Sequence, residues 1–291
     1  MKNFLLYLKK FISASRYDKP NGILLLYYPC IWGLSLSHKN ILEVYHLCII
    51  FFLGSCGMRA VGCIWNDLND KNYDILVERT KKRLIASGKV SKKEIISFFI
   101  INLTLGIIPL FFISKFSVLL CFLVLPLIIS YPFMKRITGW PQFWLGLNFN
   151  WGLFVSYYAV TEISFNLSIV LFYIGSIFWT IAYDTIYGFQ DIEDDMKIGI
   201  KSTSIKFKEN PKFFLILNYF LCFVFWYMSI STLVKDFIIF IALGLIFFPI
   251  VLNSFILNIN NTASCGKSFR NNSYFGFCIT ILLIYFNIYI L

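Results

Sequence analysis

The run Met58-Arg59-Ala60-Val61-Gly62-Cys63-Ile64-Trp65-Asn66-Asp67-Leu68-Asn69-Asp70-Lys71-Asn72-Tyr73-Asp74 decides the fold. It closes an apolar stretch that begins near residue 43 and ends in three aspartates and three asparagines. A second run, Asp184-Thr185-Ile186-Tyr187-Gly188-Phe189-Gln190-Asp191-Ile192-Glu193-Asp194-Asp195, closes the stretch 166–186 in the same way. Acidic side chains at a membrane boundary are costly unless a cation compensates them, so two clusters in separate segments imply divalent ions held between them. Hard cations held by only a few carboxylates in turn imply a phosphate-bearing substrate, whose oxygens complete the coordination.

The solvent follows from composition. Of the 291 residues 58% are hydrophobic and 14% charged, and the mean hydropathy is +0.73; a soluble domain carries about 25% charged residues. The chain reads as one all-α, polytopic membrane domain over residues 1–291, with nine apolar stretches of spanning length at 22–38, 43–65, 95–113, 116–134, 141–160, 166–186, 213–231, 237–258 and 274–291. Residues 1–21 predict an interfacial amphipathic helix with Phe4, Leu5, Leu8, Phe11 and Ile12 on one side. They lack the small-residue cleavage site of a removable signal peptide. Residues 66–94 and 187–212 then become cap loops on the inner face.

Basic residues set the orientation. With the N-terminus inside, 22 of the 26 Lys and Arg fall on inner segments. Lys39, Lys115 and Lys235 fall outside, and Arg59 lies within the second span. Both acid clusters then share the inner face and can meet. The net charge of +11 is mostly topology and attraction to anionic lipid. Nucleic acid is excluded as a partner, because no basic domain large enough to fold outside the bilayer exists.

On an ideal helix Asn66, Asp67, Asp70 and Asp74 share an arc of about 100°, and Asp184, Asp191 and Asp195 share a narrower one with Tyr187 nearby. Each cluster therefore predicts one acidic stripe, with Asp67 and Asp194 at the edges. His38 and His46 lie near the first outer connection, so acid–base work inside falls to carboxylate, tyrosine, lysine or water. Seven of the eight cysteines sit in apolar spans and no CxxC occurs, which reads as small buried filler, with Cys265 in an inner connection.

The string Asn66-Asp67-x-x-Asp70-x-x-x-Asp74 resembles the first aspartate-rich motif of the UbiA-type intramembrane prenyltransferases, and Asp191-x-x-x-Asp195 preceded by Tyr187 resembles the second. Further strings are similar to the branch of that family that acts on 4-hydroxybenzoate. They are Arg16-Tyr17-Asp18-Lys19-Pro20-Asn21-Gly22, Tyr131-Pro132-Phe133-Met134-Lys135-Arg136, Trp140-Pro141-Gln142, Tyr183-Asp184-Thr185 and Gly199-x-Lys201-Ser202-Thr203. The likeness runs from about residue 16 to 204. It departs at Leu84-Ile85-Ala86, where relatives carry Arg-Pro-Leu, while Arg83 remains.

The resemblance implies a bundle of nine transmembrane helices around a central cavity open to the inner face, with a lateral opening for a lipid chain. It implies Mg²⁺ held by Asn66, Asp70, Asp191 and Asp195, with Asp70, Asp74, Asp191 and Asp195 as the catalytic acids. A polyprenyl diphosphate would be gripped there, with Arg59, Lys135 and Arg79 meeting the charge that grows on the leaving diphosphate. Tyr131 and Tyr187 would line the substrate site. Lys135 contacts the diphosphate or snorkels; Arg136 pairs with the carboxylate of the acceptor or serves topology; Arg59 meets diphosphate or pairs with Asp184. Asn148 and Asn150 either join helices or face the cavity. The rivals are an enzyme of the same family with a naphthoate, haem or tocopherol-precursor acceptor, and a transporter of divalent cations or organic anions. The membrane is the bacterial inner membrane or the mitochondrial inner membrane, with the active site on the cytoplasmic or matrix side.

Overall fold

The computed structural model describes residues 2–37 and 39–289, except the side chains of Lys2 and Asn3; His38 and the last two residues lie outside it. No strand occurs among the described residues. The helices are α1 (Lys2–Ala14), α2 (Asn21–Ser35), α3 (Tyr45–Asn69), α4 (Lys71–Asp74), α5 (Lys92–Ile107), α6 (Lys115–Leu123), α7 (Leu125–Ile137), α8 (Pro141–Phe149), α9 (Gly152–Val160), α10 (Leu167–Gly188), α11 (Ile192–Lys197), α12 (Thr203–Lys206), α13 (Pro211–Ser231), α14 (Ile238–Ile256) and α15 (Thr262–Tyr289).

Seven of these, singly or in near-continuous pairs, are long and apolar enough to cross a bilayer: Tyr45–Asn69, Lys92–Phe111, Lys115–Ile137, Leu167–Lys197, Pro211–Ser231, Ile238–Ile256 and Thr262–Tyr289. The other two expected spans take different forms. Residues 22–38 yield the 15-residue α2, and residues 141–160 yield two nine-residue halves, α8 and α9, broken at Asn150 and Trp151. The break has a cause: Asn150 turns its Nδ2 onto the Gly146 and Ser176 carbonyls and the Thr180 hydroxyl at 2.8–3.1 Å. The final helix begins at residue 262, before the expected 274, so Cys265 is buried within a helix rather than in a connection. Its polar residues interrupt the apolar run without ending the helix, because Asn272 Oδ1 accepts from Trp179 Nε1 at 3.0 Å and Tyr219 OH at 2.9 Å.

The centre of the bundle is α10, packed against α13, α8 and α15. Trp32, Trp179 and Trp226 are fully buried beside it, and each indole N–H finds an acceptor: Thr280, Asn272 and the Phe172 carbonyl. Buried indoles require this. Helix α1 lies over α3 and α5. Phe11 and Ala14 pack with Ile64, Ile85, Val90 and Phe98, while Phe4, Leu5, Leu8 and Ile12 are exposed, as suits a helix on a lipid surface.

Candidate active site

The first acid cluster is not one continuous helix. Helix α3 ends at Asn69, Asp70 turns with φ −96° and ψ 1°, and α4 resumes at Lys71. The second is also broken, since α10 ends at Gly188 and a 3₁₀ turn, Phe189–Asp191, precedes α11. Gly199, at φ +73°, then closes α11. These turns bring Asp70, Asp74, Asp191 and Asp195 to one pocket of about 170 Å³, which Asn66, Lys135, Arg79, Tyr131 and Tyr187 also line. A chamber of about 750 Å³ adjoins it, lined by Arg59, Met58, Leu25, Leu145, Asn148, Phe149 and Tyr183 among others. Asn66, Arg79, Arg83, Tyr131, Pro132, Asp184 and Tyr187 line both and mark the junction.

Charges in the pocket pair off, as desolvated opposite charges do. Lys135 forms an ion pair with Asp70, whose other oxygen lies 3.3 Å from Arg136. Arg79 engages Asp191 with both Nε and Nη2, and donates to Tyr187 OH at 2.7 Å. Burial disfavours the Arg79 charge, but its bonds to Asp191 and Tyr187 outweigh that and raise its pKa. Glu78 N donates to Asp194 Oδ2 at 2.9 Å. The cap loop that follows the first cluster is thereby fastened to the second.

Two acids are held by arginines of the cap. Asp67 accepts from Arg16 at 2.6 and 2.8 Å and from Arg83 at 3.1 Å, and Arg83 also bonds Asp74 at 2.8 Å. Asp74, expected among the catalytic acids, is buried; burial pushes its carboxyl up while Arg83 pulls it down. Its geometry is that of a clamp under the cap. Arg16 and Arg83 were legible only as a motif residue and a retained one, since no spacing rule joins residues 51 apart. Arg16 carries the one positive φ of a non-glycine residue among those described, 60°, a conformation that persists where surrounding contacts determine it.

Arg136 is placed differently from expectation. Its Nη2 donates to the Asn69 carbonyl at 2.8 Å and its guanidinium lies 4.7 Å from the Tyr73 ring centroid, so it braces the end of α3 and does not line the chamber. Arg59 does line it, lying 5.4 Å from the Phe149 ring centroid with a buried Nε that has no hydrogen-bond partner. No ion pair within 4 Å joins Arg59 to Asp184. Gln142, singled out by resemblance, accepts from Thr203 N at 3.0 Å and anchors the second cap loop.

The donor set of three carboxylates and an amide, all oxygen, suits Mg²⁺. Among the described residues no three His, Cys, Asp or Glu side chains converge closely enough to hold an ion alone.

Fold and site together define an all-helical membrane protein with opposed acid clusters over a largely apolar chamber. A model of the UbiA prenyltransferase family matches residues 26–280. The mitochondrial 4-hydroxybenzoate polyprenyltransferase of Drosophila melanogaster is 38% identical over 272 residues, which are 92% of this chain and 69% of that protein. The 4-hydroxybenzoate octaprenyltransferase of Haemophilus ducreyi is 35% identical over 273 residues, 94% and 98% of the two. A UbiA homologue from Archaeoglobus fulgidus bound to DMAPP and Mg²⁺ shares the fold, with a TM-score of 0.70 over 97% of this chain and 100% of that one at 17% identity. The chain belongs to the UbiA prenyltransferase family.

Proposed function

We propose that the protein transfers a polyprenyl group from polyprenyl diphosphate to the ring carbon beside the hydroxyl of 4-hydroxybenzoate, releasing diphosphate, as a step of ubiquinone biosynthesis. The observation that carries this reading is the junction: an acid-lined pocket opening directly into a larger, mostly apolar chamber that holds a buried cation. Relatives named for this reaction support the acceptor.

In this reading the diphosphate lies in the smaller pocket. Mg²⁺ held by Asn66, Asp70, Asp191 and Asp195 would supply Lewis-acid stabilisation to the leaving diphosphate. Lys135 and Arg79 each reach a carboxylate and line the same pocket, so a change of rotamer carries either cation from carboxylate to phosphate oxygen. The C1–O bond breaks with its electron pair going to diphosphate. Tyr131 and Tyr187 at the junction present π faces to the allylic cation. The ring carbon beside the hydroxyl forms the new C–C bond and gives up its proton to Asp184, the carboxylate common to both compartments. Arg59, rather than Arg136, takes the acceptor's carboxylate. The chain crosses the membrane nine times with its N-terminus and site on the cytoplasmic or matrix side of a bacterial or mitochondrial inner membrane.

The test is an assay of isolated membranes with labelled 4-hydroxybenzoate and polyprenyl diphosphates of several lengths. Labelled lipid product is expected, and it should vanish in Asp70→Ala and Asp191→Ala membranes that hold normal amounts of protein. Activity above about a tenth of wild type in either variant at saturating Mg²⁺ would refute the two-cluster site.

A further inference from the structure

Asn148 and Asn150 stand two residues apart at the end of α8, and each has a buried amide oxygen without a hydrogen-bond partner. Their surroundings separate them. Asn150 is wholly buried between α8 and α10 and lines neither cavity. Asn148 lines the large chamber, and its Nδ2 donates to the Leu127 carbonyl of α7 at 3.2 Å. That bond fixes which end of the amide is nitrogen, and so leaves the oxygen as the free acceptor. A buried acceptor without a donor is costly, and in a cavity wall it marks where a ligand's donor belongs.

The chamber holds a complementary group in Arg59, whose buried Nε lacks an acceptor. Of the other cations that line the chamber, Arg16, Arg79 and Arg83 are already paired with Asp67, Asp191 and Asp74, and Lys19 and Arg270 are exposed at its rim. A buried unpaired cation and a neutral acceptor in one cavity suit a flat molecule with an anion at one position and an O–H donor at another. Three carboxylates also line the chamber: Asp67 is taken up by Arg16 and Arg83, Asp18 is exposed, and Asp184 stands at the junction with the acid pocket, where the bonds change. A neutral amide oxygen has a property that a carboxylate lacks. It accepts the phenol's hydrogen without taking the proton, which leaves the ring oxygen electron-rich, and it is left unsatisfied by a ring with no such donor.

The geometry points to Asn148 as the residue that reads the hydroxyl of the aromatic acceptor. The inference rests on the chamber being the acceptor site. It is tested with the whole enzyme in membranes, by measuring KM for 4-hydroxybenzoate and competitive inhibition by benzoate, which keeps the carboxylate and lacks the hydroxyl. Asn148→Leu should raise the KM for 4-hydroxybenzoate roughly tenfold, the effect of one lost hydrogen bond, and leave both the inhibition constant of benzoate and the KM of the diphosphate in place. An equal loss for both aromatic acids, or no change in either, overturns the assignment. Should Asn148→Leu fail to accumulate, Asn148→Ser gives the same comparison with less bulk. Arg59→Ala distinguishes the premise. If it weakens both acids, the chamber reading stands whatever Asn148 does; if it weakens neither, that reading falls and the hydroxyl assignment with it.

Discussion

A single absent side chain seats the cation of the chamber. A Cβ on Gly22 would lie 2.6 Å from Arg59 Nε and 2.9 Å from Nη2, closer than atoms tolerate, and the Arg59 tip is the part that can move. Because Gly22 lies in the first turn of α2, alanine there does not harm the helix. Gly22→Ala is therefore expected to leave the fold intact and displace the guanidinium, raising the KM for the aromatic acid about tenfold with the diphosphate KM unchanged. In an Arg59→Ala background the same substitution should add nothing, and steady-state kinetics on the four proteins checks it. The acid clusters themselves were legible in the sequence, since acids at the ends of apolar runs stand out. The seat of Arg59 was not, because Gly22 and Arg59 are joined by packing and by no periodicity. The placement of Arg136 was not legible for a related reason: adjacent to Lys135 in sequence, it turns to a backbone carbonyl on another helix.

At the scale of the element, the cap is held by one arginine shared between two acids. Arg83 bonds Asp67 on α3 and Asp74 on α4, and Arg16 ties the same Asp67 to the end of α1. Helix α1 adds its own fastenings to α5, Tyr7 to Ser97 and Lys10 to Glu94, each at 2.8 Å. Arg83→Met leaves Asp74 buried without its cation, and breaking such a pair costs at most about 3–5 kcal/mol. The expected result is faster proteolysis of the loop between α4 and α5 and a lower unfolding temperature. Adding Asp74→Asn should recover part of the loss, and no recovery would show that the pairing is incidental. Hydropathy found the long helices because it sums composition. It misplaced the start of α15 and read 141–160 as one span because polar residues such as Asn272 and Asn150 are satisfied by neighbours that no window along the chain reveals.

For the whole molecule, the distribution of lysine and arginine sets the expected orientation. Cysteines introduced beside Lys39 or Lys235, in a background without native cysteine, should react with an impermeant thiol reagent from outside, and those beside Lys82 or Lys206 should not. The reverse labelling would invert the site as well as the chain. Within the bundle α10 occupies the middle, with 72% of its apolar window buried, and it carries the second acid cluster at its end. Synthesis runs from the N-terminus, so α10 leaves the ribosome before α13 and α15, the helices that enclose it. A chain stopped after residue 210 would hold both acid clusters and still lack the wall that Phe269 and Gly266 give the chamber. The proposed site is thus completed last although its acids are translated early, and a chain truncated before Gly266 is expected to lack activity even though Asp70 and Asp191 are present.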